Sequence, residues 1–157
     1  MKIQFWSVGR DHEPYVEAGI AGFTKRIGHY FPVTWKIIGL PKNSGLLNDD
    51  DLREKEAESI LKLCDDGDYL VALDEKGKSF NSAQLAAFLQ LRANESTKKL
   101  IFLIGGAYGM DASVLKRANL CWSLSALTFP HQLVRLILSE QVYRACTILR
   151  NEQYHHK

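Results

Sequence analysis

An apolar segment runs directly into a glycine-rich turn about two thirds of the way along the chain. Residues Leu100 to Ile104 are all apolar, and Gly105-Gly106-Ala107-Tyr108-Gly109 follows without a break. Glycines let a ligand approach the backbone, whose N–H and C=O groups can then bind its polar atoms. The spacing matches neither the G-x-G-x-x-G fingerprint nor a P-loop. Taken alone, such a turn is more often structural than ligand-binding.

A second segment combines small hydroxyl side chains with apolar ones, just before the last helical pattern. Leu124-Ser125-Ala126-Leu127-Thr128-Phe129 leads into Pro130 and His131. Such a loop can enclose a flat aromatic group with its apolar side chains while its backbone forms hydrogen bonds. Ligands of open α/β sheets bind beyond the carboxyl ends of strands, where both segments are expected. An ordinary connection built on serine and threonine turns remains the alternative, and His131 is expected to anchor the helix start.

Other candidate chemistries have weaker support. Ser123, Ser125 and His131 could belong to a hydrolytic triad, but the chain has no G-x-S-x-G motif, which disfavours a hydrolase. Asp49-Asp50-Asp51 is typical of a helix start, where carboxylates are stabilised, rather than of a metal site. The three cysteines have long, unequal spacings that fit neither a zinc site nor a disulfide framework. We therefore expect reduced thiols and no bound metal.

Length and composition predict one globular domain over residues 1–157, with 46% apolar and 24% charged residues. No apolar run reaches the roughly 18 residues that a membrane span needs, and the start lacks a signal-peptide pattern. A cytoplasmic protein is expected. The net charge of +2 is small, but the excess lies after Pro130, which gives weak support for an anionic partner.

Strand and helix patterns alternate along the chain, which predicts an α/β domain with a mostly parallel sheet and helices on both faces. Strands are expected at Lys2–Val8, Val33–Leu40, Tyr69–Leu73, Leu100–Ile104 and Leu120–Leu124, and helices at Glu13–Ile27, Asp49–Leu63, Asn81–Ala93, Asp111–Ala118 and Pro130–Arg150.

The last predicted helix has two apolar sides. One is a regular core-facing stripe, formed by Val134, Leu138, Val142, Ala145 and Leu149. The other side mixes three apolar residues with polar ones, namely Leu133, Ile137 and Ile148. That second side could pack under other elements of the same chain. We favour a contact with a second copy of the chain, because interfaces combine an apolar centre with Arg and polar groups.

Taken together, the motifs are specific. The Gly105–Gly109 turn, the Leu124–His131 segment, Val142-Tyr143-Arg144-Ala145 and the Tyr154-His155 pair resemble the ribosomal RNA large subunit methyltransferase H family. This family is a minimal member of the SPOUT superfamily. The resemblance extends over essentially the whole chain, including Asp74-Glu75-Lys76-Gly77-Lys78 after the third strand.

The resemblance implies a SPOUT-like fold with a C-terminal trefoil knot and a homodimer that binds S-adenosyl-L-methionine. Methylation at N3 of a pseudouridine in large-subunit ribosomal RNA is the implied reaction. Assembled ribosomes are the expected substrate, because the family adds no RNA-binding domain. By position, the resemblance implies cofactor contacts at Leu73, Gly105, Leu124, Ser125, Ala126, Leu127, Thr128 and Phe129.

Three residues near the C-terminus are candidates for the chemistry and for RNA binding. We expect Tyr154 and His155 to position the base or to accept its proton. Arg144 could bind RNA phosphate, or it could pair with Glu140 one helical turn earlier. Two other functions stay open, namely a SPOUT enzyme that acts on transfer RNA and a non-catalytic dimer that binds a nucleotide-like ligand.

Overall fold

Five parallel strands form one sheet in the computed structural model, which describes residues 1–156. The strand order is β2-β1-β4-β3-β5, so all five carboxyl ends lie along one edge. In chain order the elements are β1 (Lys2–Val8), α1 (Pro14–Ile27), β2 (Val33–Ile38), a 3-10 turn (Ser44–Leu46), α2 (Asp49–Leu63), β3 (Tyr69–Ser79), α3 (Ser82–Asn94), β4 (Lys99–Ile104), α4 (Ala112–Arg117), β5 (Leu120–Ser123) and α5 (His131–Leu149).

The central strand β4 explains the uninterrupted apolar run. Phe102 belongs to the core on the face that packs against α1, α3 and α5, whereas Ile101 and Leu103 belong to the core under α2 and α4. A parallel strand that is buried on both faces needs apolar side chains at every position. The prediction of an α/β sheet covered by helices on both faces is confirmed.

Local sequence determines where three of the helices begin. Asn48 accepts a hydrogen bond from the Asp51 N–H at 2.8 Å, so the three aspartates open α2 as predicted. Asn81 and Gln84 form a reciprocal capping box at the start of α3. Asp111 accepts from the Ser113 N–H at 3.0 Å and begins α4.

Two strand boundaries differ from the sequence prediction by two residues or more. The second strand ends at Ile38 rather than Leu40, because its partner β1 turns away at Gly9, whose φ is +130°. The third strand continues past Leu73 to Ser79 through a bulge, after which Lys78 and Ser79 pair with β5. Pairing with the neighbouring strand extends β3 beyond its apolar part.

The long helix α5 packs between α1 and α3 on one face of the sheet. From the predicted stripe, Leu138, Val142 and Ala145 are fully buried. Ile148 packs against the core of its own chain, so this residue does not need a second copy to cover it. Leu133 and Ile137 remain partly exposed, and the dimer contact there stays a prediction.

None of the helices within residues 1–156 has both the length and the apolar character required to cross a membrane. All three cysteines are free thiols. Cys146 is buried, and Cys64 and Cys121 are partly exposed.

Candidate functional site

A cavity of about 210 Å³ lies at the carboxyl ends of β3, β4 and β5. Its walls come from the start of the β3 bulge, the glycine turn after β4, the loop after β5 and the first turn of α5. This is the edge at which open α/β sheets bind ligands. Of the eight residues assigned to the cofactor, those that line the cavity are Leu73, Gly105, Leu124, Ser125, Leu127, Thr128 and Phe129. Ala126 belongs to the same loop but is not among the lining residues.

A side chain at either of the first two glycines of the turn would force a neighbouring side chain to move. A Cβ on Gly105 would lie 2.6 Å from Cγ of Met110, and one on Gly106 would lie 2.7 Å from Oε1 of Glu56. Gly109 adopts a φ of +83°, and its N–H donates to the Gly106 carbonyl at 3.1 Å. The turn therefore exposes backbone to the cavity while its other side is closely packed.

Helix α2 supports the glycine turn from behind. Arg53 donates from Nη1 to the Tyr108 carbonyl at 3.3 Å and also pairs with Asp50. One turn later, Glu56 is only 4% exposed, and its Oε2 has no hydrogen-bond partner within residues 1–156. Burial raises the pKa of Glu56. Sequence reasoning missed this residue, because a glutamate within a charged helix resembles a solvated one.

The loop after β5 is ordered by its serines. Ser123 Oγ donates to the Ser125 carbonyl at 3.1 Å, and the Leu127 N–H donates to Ser125 Oγ at 3.0 Å. These are the serine turns that the sequence allowed, and the same loop also lines the cavity. Leu127 is 70% exposed, whereas Trp122 below the loop is buried.

A buried arginine near the cavity was not identified from the sequence. Arg135 lies one turn after His131, which lines the cavity, and it is 1% exposed. Its Nε donates to Ser7 Oγ at 2.9 Å, and its Nη1 lies 3.2 Å from His12 Nδ1. Burial and the charge of Arg135 lower the pKa of both histidines. Pro130, at the N-cap of α5, makes no side-chain capping hydrogen bond, and the anchoring role of His131 stays a prediction.

The three residues assigned to catalysis and RNA binding form one cluster at the other end of α5. Arg144 donates from Nε to Oε1 of Glu140 at 3.0 Å, and its Nη1 lies 3.3 Å from His155 Nδ1. The Tyr154 hydroxyl donates to the same Glu140 oxygen at 3.1 Å. Burial and the neighbouring Glu140 raise the pKa of Tyr154. Pairing of Arg144 with Glu140 is one of the two roles considered, and a contact with RNA stays a prediction.

This cluster does not line the cavity of its own chain. Val134 lies at the cavity, and Arg144 follows ten residues later on the same helix. At a rise of about 1.5 Å per residue, the two positions are about 15 Å apart along the axis. Within one chain, the cofactor candidates and the catalytic candidates are therefore separated.

Residues 1–155 match the family model described as "Predicted SPOUT methyltransferase". The chain belongs to this family. Curated relatives of this SPOUT methyltransferase align with it over their full length. The protein from Cytophaga hutchinsonii is 45% identical over 156 residues, covering 99% of this chain and 100% of the relative. The protein from Parabacteroides distasonis is 44% identical over 157 residues and covers 100% of both. Both are named ribosomal RNA large subunit methyltransferase H.

A solved structure also resembles the fold of this SPOUT methyltransferase. A probable methylase family protein from Haemophilus influenzae aligns with a TM-score of 0.50 at 13% identity. The alignment covers 99% of this chain and 70% of that one. At this identity the similarity concerns the fold alone.

Proposed function

We propose that this protein transfers a methyl group from S-adenosyl-L-methionine to N3 of a pseudouridine in large-subunit ribosomal RNA. It would act on assembled ribosomes in the cytoplasm. The observation that carries the proposal is the full-length similarity, at 44–45% identity, to relatives named ribosomal RNA large subunit methyltransferase H. The resemblance of the sequence motifs to this family implies the target atom, the cofactor and the ribosomal substrate.

The cavity has the chemistry that such a cofactor needs. Exposed backbone at Gly105 and Gly106 can form hydrogen bonds with a polar ligand, because a glycine has no side chain to separate its backbone from that ligand. Leu124, Leu127 and Phe129 offer apolar surface to a flat base such as adenine. The unpartnered carboxylate of Glu56 behind the turn suits a ligand that carries positive charge. The residues present therefore fit S-adenosyl-L-methionine.

The reaction needs alignment of the two reacting atoms and removal of one proton. When bound, S-adenosyl-L-methionine supplies a methyl group that its sulfonium charge already activates. The imide N3 of a pseudouridine is a poor nucleophile until it loses its proton, so the protein must hold N3 in line and accept that proton. Tyr154, whose pKa is raised, stays protonated and can donate a hydrogen bond to the base. His155 is then the candidate proton acceptor.

The separation along α5 supports a homodimer in this proposal. Arg144 lies about 15 Å along the helix axis from Val134 at the cavity wall, and Tyr154 and His155 cluster around Glu140 and Arg144, so the cavity of a second copy is where they would act. The partly exposed Ile137, next to Phe129 and Leu124 in a groove of about 170 Å³, provides apolar surface for that contact. Arg144 is then placed to contact RNA phosphate at the shared site.

Methyl transfer from labelled cofactor tests the proposal. The substrates are ribosomes isolated from cells that lack this modification, free large-subunit RNA and bulk transfer RNA. We expect label in the large-subunit RNA of ribosomes, located at N3 of a pseudouridine by mass spectrometry of the nucleosides. Label in transfer RNA would favour the other SPOUT activity. If calorimetry detects binding of neither S-adenosyl-L-methionine nor S-adenosylhomocysteine, the methyltransferase assignment fails.

The role of His155 has its own test. We expect His155→Ala to reduce turnover on ribosomes strongly while cofactor binding, measured by calorimetry, stays normal. His156→Ala is the matched control, because it removes the neighbouring imidazole on the same tail. Unchanged turnover in His155→Ala would show that His155 is not the proton acceptor.

A further inference from the structure

Glu56 places a carboxylate directly behind the wall of the cavity. The position that a Cβ of Gly106 would occupy lies 2.7 Å from Oε1, so the carboxylate fills the space that a side chain at this position would need. Gly106 itself lines the cavity on its other side. Gly106 therefore lies next to both the carboxylate and the cavity.

The charge of Glu56 has no partner in the protein. Within residues 1–156, no Lys, Arg or His nitrogen lies within 4.0 Å of this carboxylate, and Oε2 accepts no hydrogen bond. The nearest arginine along the helix, Arg53, is occupied by Asp50 and by the Tyr108 carbonyl. Burying an unpaired carboxylate is costly and raises its pKa, so a positive charge in the cavity would favour the ionised form of Glu56.

A ligand cation in the cavity would supply the missing positive charge. Because the carboxylate is 4% exposed, water screens its field much less than it screens a surface charge. The lack of a side chain on Gly106 lets a ligand approach closely. A larger residue there would both collide with Glu56 and move the ligand away.

We propose that Glu56 determines the charge selectivity of the cavity, favouring the sulfonium form of the cofactor over the neutral thioether product. This inference rests on the proposed function. Glu56 acts through the backbone of Gly106 and does not touch the reacting atoms. By this means the enzyme would hold S-adenosyl-L-methionine in preference to S-adenosylhomocysteine, so accumulated product would inhibit it less.

Calorimetry on the full-length protein tests this selectivity. The variant is Glu56→Gln, which keeps the shape and removes the charge. A unit charge about 8 to 12 Å away, at an effective dielectric constant of about 20, changes affinity by roughly ten- to thirty-fold. We expect Glu56→Gln to weaken the binding of S-adenosyl-L-methionine by roughly that factor and to leave the affinity for S-adenosylhomocysteine almost unchanged. Sinefungin carries an ammonium in place of the sulfonium, so its affinity should fall by a similar factor in Glu56→Gln.

Two further variants separate charge from structure. Glu56→Asp keeps the charge and should keep the ratio of the two affinities, even if both affinities fall. Glu54→Gln removes an exposed carboxylate from the same helix and should change neither affinity. Thermal unfolding of each variant shows that it is folded.

The outcomes are distinct. An unchanged affinity ratio in Glu56→Gln, or an equal loss for both ligands, would overturn the selectivity role. The latter result would mean that Glu56 only supports the turn. If the wild-type protein binds neither ligand, the proposed function itself fails before Glu56 is tested.

Discussion

Gly77 is the position where one added methyl group should do the most damage to the sheet. It lies in the bulge of β3, against the backbone of the edge strand β5. A Cβ at this position would lie 2.6 Å from the carbonyl carbon and oxygen of Cys121 and 2.7 Å from the Trp122 nitrogen. The backbone of Gly77 has no positive φ, so alanine itself is conformationally allowed there. The whole effect of Gly77→Ala therefore comes from the collision.

The size of the effect follows from the geometry. Ordinary Cβ contacts are at least 3.4 Å long, so the two strands must separate by about 0.8 Å. Because the obstacle is backbone, no side-chain rotation can relieve it. Overpacking of this kind costs about 1–3 kcal/mol, and the loss of unfolded-state entropy in Gly→Ala returns about 0.4–1 kcal/mol. We expect a net loss of about 1–2 kcal/mol, which lowers the melting temperature by about 2–8 °C.

Urea denaturation and thermal melting at one fixed protein concentration measure this change. Leu73 and Leu124 lie next to the affected pairings and line the cavity, so the affinity for S-adenosyl-L-methionine should also fall. Gly67→Ala is the matched control, because a Cβ there meets no atom within 4 Å. It should be neutral or slightly stabilising. Equal stability of both variants would refute the close approach of β3 and β5.

Three further predictions concern other parts of the chain. Asn81→Ala removes the cap of α3 and should lower the free energy of unfolding by about 1 kcal/mol in urea denaturation, and no loss would exclude the cap. Burial raises the pKa of Cys146 to about 12, so a thiol reagent at about pH 8 should label it only after denaturation, and rapid native labelling would contradict this. The pKa values of His12 and His131 are lowered from 6.5, so the unfolded state binds more protons below that pH. Stability should therefore decrease as the pH falls from about 7 to about 5, and His12→Asn with His131→Asn should flatten this slope in urea titrations.

Much of the fold could be predicted because each element carries a local signal. The apolar run of β4 and the caps at Asn81 and Asp111 depend only on nearby residues. The end of β2 and the length of β3 could not be predicted, because each depends on a strand distant in the sequence. The trefoil knot stays a prediction from the family resemblance, since periodicity carries no information about threading.

The candidate site, like the fold, could be predicted only in part from the sequence. The glycine turn and the Leu124–Phe129 loop can be recognised from their composition, and residues of both line one cavity. Glu56 and Arg135 gave no signal, because a charged residue on an amphipathic helix is expected to face water. Their burial results from tertiary packing of α2 and α5 against the sheet.

The uninterrupted length of α5 also has a mechanical consequence. Its 19 residues form a rod of about 28 Å, with a cavity wall at one end and the Arg144–Tyr154 cluster at the other. Gly19 of α1 lets Leu136 approach closely about a third of the way along this helix. A tilt of about 5° about that contact would move the cavity end by about 0.7 Å and the other end by about 1.7 Å, in opposite directions. A change in the direction of α5 would therefore displace the end near the Arg144–Tyr154 cluster more than the end at the cavity, because that arm of the helix is longer.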